Sequence, residues 1–229
     1  MGTSEDNFKC YNVSWREAQE LTKILAGKIK RSGFKPDLII AVARGGLVPA
    51  RIVCDYLLLK DLTSIKVEHW GIAATLGSAK IKFPLPDEVD ISGKKILVVD
   101  DVADTGETYS VIMEYLLKKD PSEVKTAVMQ YKTCSCFIPD FWGKKLEKWE
   151  WIIYPWARYE DLRGFIERST TLPLSFDELR RKLKDDFNLN ISKKDLAEIL
   201  EDMQELGELT KIKIGKQILW VKPARGKSE

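Results

Sequence analysis

Residues 94–112 have the sequence KKILVVDDVADTGETYSVI, in which an apolar run ends in paired carboxylates and a small, hydroxyl-rich turn. The run from Ile96 to Val99 is short and uninterrupted, which is typical of a strand buried on both faces of a parallel sheet. From Tyr109 to Leu117, apolar residues return at helical spacing. The stretch therefore predicts a strand, a turn and a helix, and ligands of parallel α/β sheets bind at such turns.

The turn between this strand and this helix is suited to an anion. At a helix N-terminus, free backbone N–H groups and the helix dipole both favour negative charge. The predicted turn supplies these groups together with the hydroxyls of two threonines, and it consists of Asp104, Thr105, Gly106, Glu107 and Thr108. We predict that this turn binds a phosphate group.

Two acidic residues, Asp100 and Asp101, come directly before the turn. Carboxylates accept hydrogen bonds from neighbouring sugar hydroxyls, and they can hold Mg²⁺ through water. The pair therefore predicts a phosphorylated ribose as ligand and Mg²⁺ as cofactor. Neither G-x-x-x-x-G-K-[ST] nor G-x-G-x-x-G occurs in the chain, which removes the usual support for a P-loop or a dinucleotide site.

The string VVDDVADTGET in this stretch resembles the ribose-5-phosphate-binding signature of type I phosphoribosyltransferases, which use phosphoribosyl diphosphate. The resemblance implies an α/β fold with a parallel sheet and Mg²⁺-dependent transfer of a pentosyl group. It also implies that Asp104 is the catalytic general base, which accepts or steers a proton at purine N7. By the same resemblance, ribose 5-phosphate is bound by Asp100, Asp101, Asp104, Thr105, Gly106, Glu107 and Thr108.

A second segment, DLIIAVARGGLVPARIVCDYL at residues 37–57, repeats the pattern of strand, glycine turn and helix. We predict a strand from Leu38 to Ala43 and a helix from Leu47 to Leu57. Two glycines let a backbone approach an anion closely, and an arginine adds a fork of donors for oxygen-rich ligands. In the resembled family this loop binds diphosphate and often contains a cis peptide bond. The resemblance thus assigns the leaving diphosphate to Arg44, Gly45 and Gly46.

A third segment concerns the base. TAVMQYKT at residues 126–133 predicts a strand that ends at Lys132, and WEWIIYPWA at residues 149–157 is densely aromatic. Aromatic rings stack on flat heterocycles, and a lysine ammonium donates to a carbonyl oxygen, so the pairing favours a 6-oxopurine over adenine. The segment resembles the base-binding hood, here about residues 126–160, of bacterial and archaeal xanthine–guanine and hypoxanthine–guanine phosphoribosyltransferases. The resemblance implies that Lys132 contacts the 6-oxo group, Trp151 stacks on the purine, and the Ile152 backbone recognises its edge.

Two positions in the hood depart from the resembled family. Ile153 and Ala157 stand where the bacterial xanthine–guanine members have acidic residues, and the nearby Glu160 and Asp161 could substitute for them. A flexible lid over the reaction is expected within residues 69–86, whose composition is mixed and contains Gly and Pro.

Composition limits the class of protein. The chain has 229 residues, 44% hydrophobic content and a net charge of +2, which predicts a globular protein rather than a strongly basic nucleic-acid binder. No apolar run approaches the roughly 18 residues of a membrane span, and the N-terminus lacks the pattern of a secretion signal. We therefore predict a cytoplasmic protein without a membrane partner. The four cysteines have no C-x-x-C spacing, which favours packing over metal binding.

The chain is predicted to contain two domains. Residues 1–168 form the catalytic phosphoribosyltransferase domain, and residues 169–229 form a small winged-helix-like α+β domain. The second assignment rests on a capping box at Ser175 and Glu178, a helix that begins at Ser192, and an alternating hairpin around Gly215-Lys216.

The winged-helix-like domain raises an alternative function. The chain could be a transcriptional regulator that binds DNA through this domain and senses phosphoribosyl diphosphate or a nucleotide. Residues 192–206 hold two lysines against five acidic residues, so no nucleic-acid partner is expected. A weak DNA contact through the hairpin stays open, since it carries Lys211, Lys213, Lys216 and Lys222. Orotate or adenine as the base would leave Lys132 and the aromatic hood unexplained.

The interpretation preferred from the sequence is an enzyme of purine salvage. It would transfer ribose 5-phosphate from phosphoribosyl diphosphate to N9 of hypoxanthine, guanine or xanthine and release pyrophosphate. The small domain would then serve dimerisation or regulation in a homodimer or a higher homo-oligomer.

Overall fold

The structure is a computed structural model that describes residues 9–69 and 79–223. Its helices are α1 Trp15–Arg31, α2 Leu47–Leu57, α3 Glu107–Leu117, α4 Arg158–Ser169, α5 Phe176–Phe187 and α6 Lys193–Glu205. Its strands are β1 Cys10–Asn12, β2 Leu38–Ala43, β3 Leu62–His69, β4 Ala79–Phe83, β5 Lys95–Ala103, β6 Glu123–Lys132, β7 Phe141–Leu146, β8 Trp151–Ile153, β9 Thr210–Ile214 and β10 Gln217–Val221. The chain divides into two compact units, Ser14–Trp149 and a second unit that combines Met1–Val13 with Glu150–Glu229. We call them the sheet unit and the terminal unit.

A six-stranded sheet in the order β4-β3-β2-β5-β6-β7 organises the sheet unit. All neighbouring strands are parallel except β4, which runs antiparallel to β3 at the edge. Val99 of β5 lies opposite Ala41 of β2 and Ala127 of β6, so the carboxyl ends of these three strands lie side by side. The predicted α/β class with a parallel sheet is confirmed, and the antiparallel edge strand is an addition to it.

The apolar run of β5 is buried on both faces of the sheet. Ile96 and Val98 belong to a core cluster that includes Tyr109, Ile112 and Leu116 of α3. The alternate residues of the run point to the other face, where the core cluster contains Leu25 and Ile29 of α1, Ala50 and Val53 of α2, and Leu97 and Val99 of β5. A strand covered by helices on both faces has no solvent-facing side, which explains the uninterrupted apolar sequence.

Strand β5 is longer than the apolar run indicated. Its pairing with β6 continues at Asp100 and at Val102, so both acidic residues lie inside the strand rather than after it. The register explains the difference, because β6 extends to Lys132 and offers partners beyond the apolar positions. As a result, Asp100 is buried.

The terminal unit has the predicted order of helix, helix and hairpin. Ser175 and Glu178 form a complete capping box at the start of α5, and Ser192 caps α6. Strands β9 and β10 pair antiparallel across a turn in which Gly215 has φ +63°. In the same unit, β1 pairs parallel with β8. Among the described residues, no helix combines the length and the apolar character that crossing a lipid bilayer requires.

The compact units do not divide at the predicted boundary between residues 168 and 169. One core cluster of the terminal unit contains Leu162 and Phe165 of α4 together with Leu179 of α5 and Leu196 of α6. Since α4 shares this core with the two later helices, the contacts continue across residue 169. A separate role for residues 169–229 stays a prediction.

Candidate active site

The predicted phosphate turn begins where β5 ends and leads into α3. Gly106 is the residue before the helix and has φ +90°, a backbone conformation that residues other than glycine rarely adopt. A Cβ atom on Gly106 would lie 2.6 Å from both Phe137 N and Ser135 Oγ. The site therefore requires glycine, and no side chain of the N-cap residue bonds to the start of α3, where the helix dipole favours an anion.

The predicted diphosphate loop lies against the end of β5. A Cβ atom on Gly45 would stand 2.7 Å from Asp101 Cγ, and one on Gly46 would stand 2.7 Å from Val42 O and closer still to Val99 O. Only glycines allow this approach. The peptide bond between Ala43 and Arg44 is cis, as the family resemblance implies. The fold thus brings the two glycine-containing segments together at the carboxyl ends of β2 and β5.

Asp100 and Asp101 are adjacent carboxylates near the carboxyl end of β5. Asp100 is buried, and its Oδ1 accepts a hydrogen bond of 2.9 Å from the backbone N–H of Asp101. Burial first, and then the charge of Asp101, raise the pKa of Asp100 well above its ordinary value. A bound cation would favour the charged form of Asp100 and so oppose both effects. This pair therefore suits a metal ion.

Hard oxygen donors such as these two carboxylates fit Mg²⁺. Within residues 9–69 and 79–223 there is no cluster of three or more His, Cys, Asp or Glu side chains that could hold a metal. A magnesium ion held by Asp100 and Asp101 would therefore take its other ligands from water and from the substrate, which is the usual arrangement for Mg²⁺ beside phosphates.

Lys132 and Asp104 form an ion pair beside the phosphate turn. Lys132 Nζ donates to Asp104 Oδ2 over 2.7 Å, and the lysine side chain is only 3% exposed, whereas that of Asp104 is 39% exposed. Trp149 Nε1 donates to the other carboxylate oxygen of Asp104 over 3.2 Å. The Lys132 ammonium also lies 4.8 Å from the centroid of the Trp149 ring. Two side chains from other parts of the sequence thus meet at the Asp104 carboxylate.

Lys132 and Asp104 keep hydrogen-bonding capacity for a ligand. A buried ammonium is costly without a partner, and Asp104 supplies one here. An ammonium has three N–H donors and a carboxylate has about four acceptor positions, so neither group is saturated by the contacts described above. A ligand with a carbonyl oxygen next to a ring nitrogen could therefore bind Lys132 and Asp104 at the same time.

Trp149 is the residue whose role sequence reasoning missed. In the sequence it is one of three nearby tryptophans, of which any could belong to a core. In the structure it is 44% exposed and contacts both Asp104 and Lys132. The pattern W-E-W at residues 149–151 contains no signal that distinguishes its first tryptophan from its second.

The other predicted base contacts belong to the terminal unit. Trp151 Nε1 donates to Asp161 Oδ1 over 3.1 Å, so one of the two acids suggested as substitutes bonds to this indole. Ile152 lies in β8 and pairs with Tyr11 of β1. The roles predicted for Trp151 and Ile152 at the purine stay predictions.

The predicted lid falls only partly on described residues. Residues 79–83 form the edge strand β4, which pairs with β3 with a shift of register between Lys66 and Val67. Residues 70–78 of the predicted lid lie outside the described residues.

Comparison with known proteins follows the same part of the chain. Residues 14–161 match the family described as phosphoribosyl transferase domain. The chain is 28% identical over 157 residues to the xanthine-guanine phosphoribosyltransferase of Nitratidesulfovibrio vulgaris (strain Hildenborough), covering 68% of this chain and 90% of that protein. It is 31% identical over 127 residues to the hypoxanthine-guanine phosphoribosyltransferase of Saccharomyces cerevisiae, covering 48% and 56% of the two chains. The crystal structure of the purine phosphoribosyltransferase of Pyrococcus horikoshii is similar with a TM-score of 0.57 at 32% identity, covering 65% of this chain and 93% of that one. With its family match spanning both glycine turns and Lys132, this chain belongs to the phosphoribosyl transferase domain family.

Proposed function

We propose that this chain is a phosphoribosyltransferase of purine salvage. It transfers ribose 5-phosphate from phosphoribosyl diphosphate to N9 of a 6-oxopurine and releases pyrophosphate. The observation that carries the choice of base is the contact between Lys132 Nζ and Asp104 Oδ2, because it places a donor beside an acceptor next to the phosphate turn. Two of the relatives are named after xanthine, guanine and hypoxanthine, all of which carry an oxygen at position 6.

The charges at the sheet edge fit the transfer step. Displacement of diphosphate from the anomeric carbon passes through a state with positive charge on the ribose, which nearby carboxylates stabilise. Asp100 and Asp101 are suited to this role and to accepting hydrogen bonds from the ribose hydroxyls. Arg44, Gly45 and Gly46 are proposed to bind the leaving diphosphate. When bound, Mg²⁺ would neutralise part of the diphosphate charge.

The ion pair fits the base. Lys132 donates to the 6-oxo oxygen, and Asp104 accepts or steers the proton at N7 while N9 attacks the ribose. Adenine presents an amino group at position 6, which cannot accept from an ammonium. Trp149 holds the second oxygen of Asp104 and thereby orients the carboxylate. Exclusion of water from the reacting atoms would complete the site.

The alternative function has less support. None of the relatives described above is named as a transcriptional regulator, and α6 carries Asp195, Glu198, Glu201, Asp202 and Glu205 against two lysines. Acidic side chains repel the phosphate backbone of DNA. A cytoplasmic homodimer or larger homo-oligomer stays a prediction.

A panel of bases tests the proposal. The pure protein is incubated with phosphoribosyl diphosphate, Mg²⁺ and one of hypoxanthine, guanine, xanthine, adenine or orotate, and both nucleotide and pyrophosphate are measured. We expect both products with at least one 6-oxopurine and neither with adenine or orotate. The Asp104→Asn variant, purified in the same way, controls for a contaminating enzyme. Turnover of adenine or orotate alone would contradict the assignment of the base, and turnover of no base would contradict the function.

A further inference from the structure

Two cysteines lie beside the phosphate turn in residues 133–137, which we call the thiol loop. Cys134 and Cys136 are both exposed. The Cys136 N–H donates to Thr105 O over 2.9 Å, and the Cys134 thiol donates to Asp104 O over 3.8 Å. Each cysteine therefore bonds directly to the backbone of a residue in the phosphate turn.

The thiol loop and the phosphate turn pack without spare volume. Ser135, which lies between the two cysteines, is buried, and its hydroxyl donates to Phe137 O over 2.9 Å. The Phe137 ring stacks on Tyr109 of α3 with centroids 5.1 Å apart. A single methyl group on Gly106 would already lie 2.6 Å from Ser135 Oγ. The Cys134 sulfur lies 3.8 Å from Asp104 O, so a group attached to it would begin directly beside the phosphate turn.

The other two cysteines of the chain provide an internal comparison. Cys10 and Cys54 are buried, and burial raises the pKa of the Cys10 thiol to about 12 and also raises the pKa of Cys54. The thiolate is the form of cysteine that attacks electrophiles, so a buried thiol with a raised pKa reacts slowly. Reagents should distinguish the thiol loop from the core.

We propose that Cys134 and Cys136 form a modification site for soft electrophiles and small disulfides, and that a group attached there blocks the phosphate turn. In thiol–disulfide exchange, the cysteine loses its proton to solvent and its thiolate attacks one sulfur of a low-molecular-weight disulfide. The new S–S bond forms as the old one breaks, and the other half leaves as a thiolate. A small thiol reverses the reaction. The effect on turnover rests on the proposed function, whereas the reactivity of the site does not.

The test uses the full chain and an aromatic disulfide reagent, with the modified cysteines located by peptide mass mapping. We expect Cys134 or Cys136 to be labelled before Cys10 and Cys54, turnover to fall in parallel, and dithiothreitol to restore it. Phosphoribosyl diphosphate with Mg²⁺ at ten times its Kd should slow the labelling about tenfold, because only the unliganded protein reacts.

A double variant, Cys134→Ser with Cys136→Ser, is the matched control. It should turn over substrate like the wild type and resist the reagent. Any of three results would overturn the inference: faster labelling of Cys10 and Cys54, unchanged turnover after full labelling of the thiol loop, or inactivation of the double variant by the reagent. If the untreated chain turns over no base, the proposed function fails, while the order of labelling still decides whether the site exists.

Discussion

Lys132 Nζ lies 2.7 Å from Asp104 Oδ2, which joins the end of β6 to the turn that follows β5. The neighbouring parallel strands bring these residues together although they are far apart in sequence. Because Trp149 binds the second carboxylate oxygen, Asp104 is held in place before any ligand arrives. The donor and the acceptor proposed for the purine are therefore preorganised, which lowers the cost of ordering them in the reaction.

Replacing the acceptor tests its role in proton transfer. Asp104→Asn keeps the size and polarity of the side chain but removes its basicity, so we expect kcat to fall about 10²- to 10⁴-fold. The KM for phosphoribosyl diphosphate should change little. Steady-state kinetics with both substrates varied gives the two values. An unchanged kcat would remove Asp104 from the proton-transfer step.

Trp149 should act through Asp104. Trp149→Phe keeps an aromatic ring but removes the N–H that bonds to the carboxylate. We expect kcat to fall roughly tenfold, the lower end for loss of a hydrogen bond to a charged group, while the KM for phosphoribosyl diphosphate changes little. Trp142→Phe is the control, since that indole lies under Lys28 instead. Equal effects of the two substitutions would mean that Trp149 only fills space.

The buried Asp100 carboxylate should lower the free energy of unfolding of the ligand-free protein. Burial, and then the charge of Asp101, raise the pKa of Asp100 in the folded protein. A carboxyl group with a higher pKa in the folded than in the unfolded state makes the folded state less stable as pH rises above the unfolded pKa of about 4. In Mg²⁺-free buffer, Asp100→Asn should therefore unfold at higher denaturant than the wild type at pH 8, and the difference should shrink towards pH 4.

The same Asp100→Asn variant should bind Mg²⁺ and phosphoribosyl diphosphate more weakly, because one carboxylate of the proposed metal site is lost. Asp87→Asn, at an exposed carboxylate, is the control and should change neither quantity. If Asp100→Asn were as stable as the wild type at both pH 8 and pH 4, Asp100 would not be a charged group in a buried environment.

Strand and helix bounds that depend on local sequence could be predicted. The bounds of β2 and α2 agree with the prediction, because an apolar run, two glycines and a helical repeat are all visible within twenty residues or so. The capping box of α5 and the glycine turn of the hairpin are local signals of the same kind.

Features that depend on distant contacts could not be predicted. Asp100 and Asp101 belong to β5 because β6 continues to pair with it, and the carboxylates themselves suggest a loop. The contact of Trp149 with Asp104 depends on the path of the chain after β7, which no sequence pattern specifies. The compact units differ from the predicted domains for a similar reason, since the apolar face of α4 is compatible with more than one packing partner.

Truncation tests where the terminal unit begins. A chain that ends at residue 168 loses α5, α6 and the hairpin, and it would expose buried side chains of α4 such as Leu162, Phe165 and Ile166. Each such side chain contributes about 1.5–3 kcal/mol when buried, so we expect aggregation or binding of a hydrophobic dye. A chain that ends at residue 223 keeps every helix and strand that the structure describes and is the control. A soluble chain of residues 1–168 with a cooperative unfolding transition would support the boundary predicted from the sequence.

The proposed contact of Lys132 with the 6-oxo group is tested by the ratio of kcat/KM for hypoxanthine to kcat/KM for adenine, measured in the wild type and in Lys132→Met. Methionine keeps the length and burial of the side chain but cannot donate to the 6-oxo oxygen, so kcat/KM for hypoxanthine should fall about ten- to hundredfold. Lys125→Met, which removes a lysine of the same strand that pairs with Asp140 at 3.0 Å, should leave the ratio unchanged. We predict a wild-type ratio far above one that collapses only in Lys132→Met. A wild-type ratio near or below one, or a ratio that survives the loss of Lys132, would contradict the account.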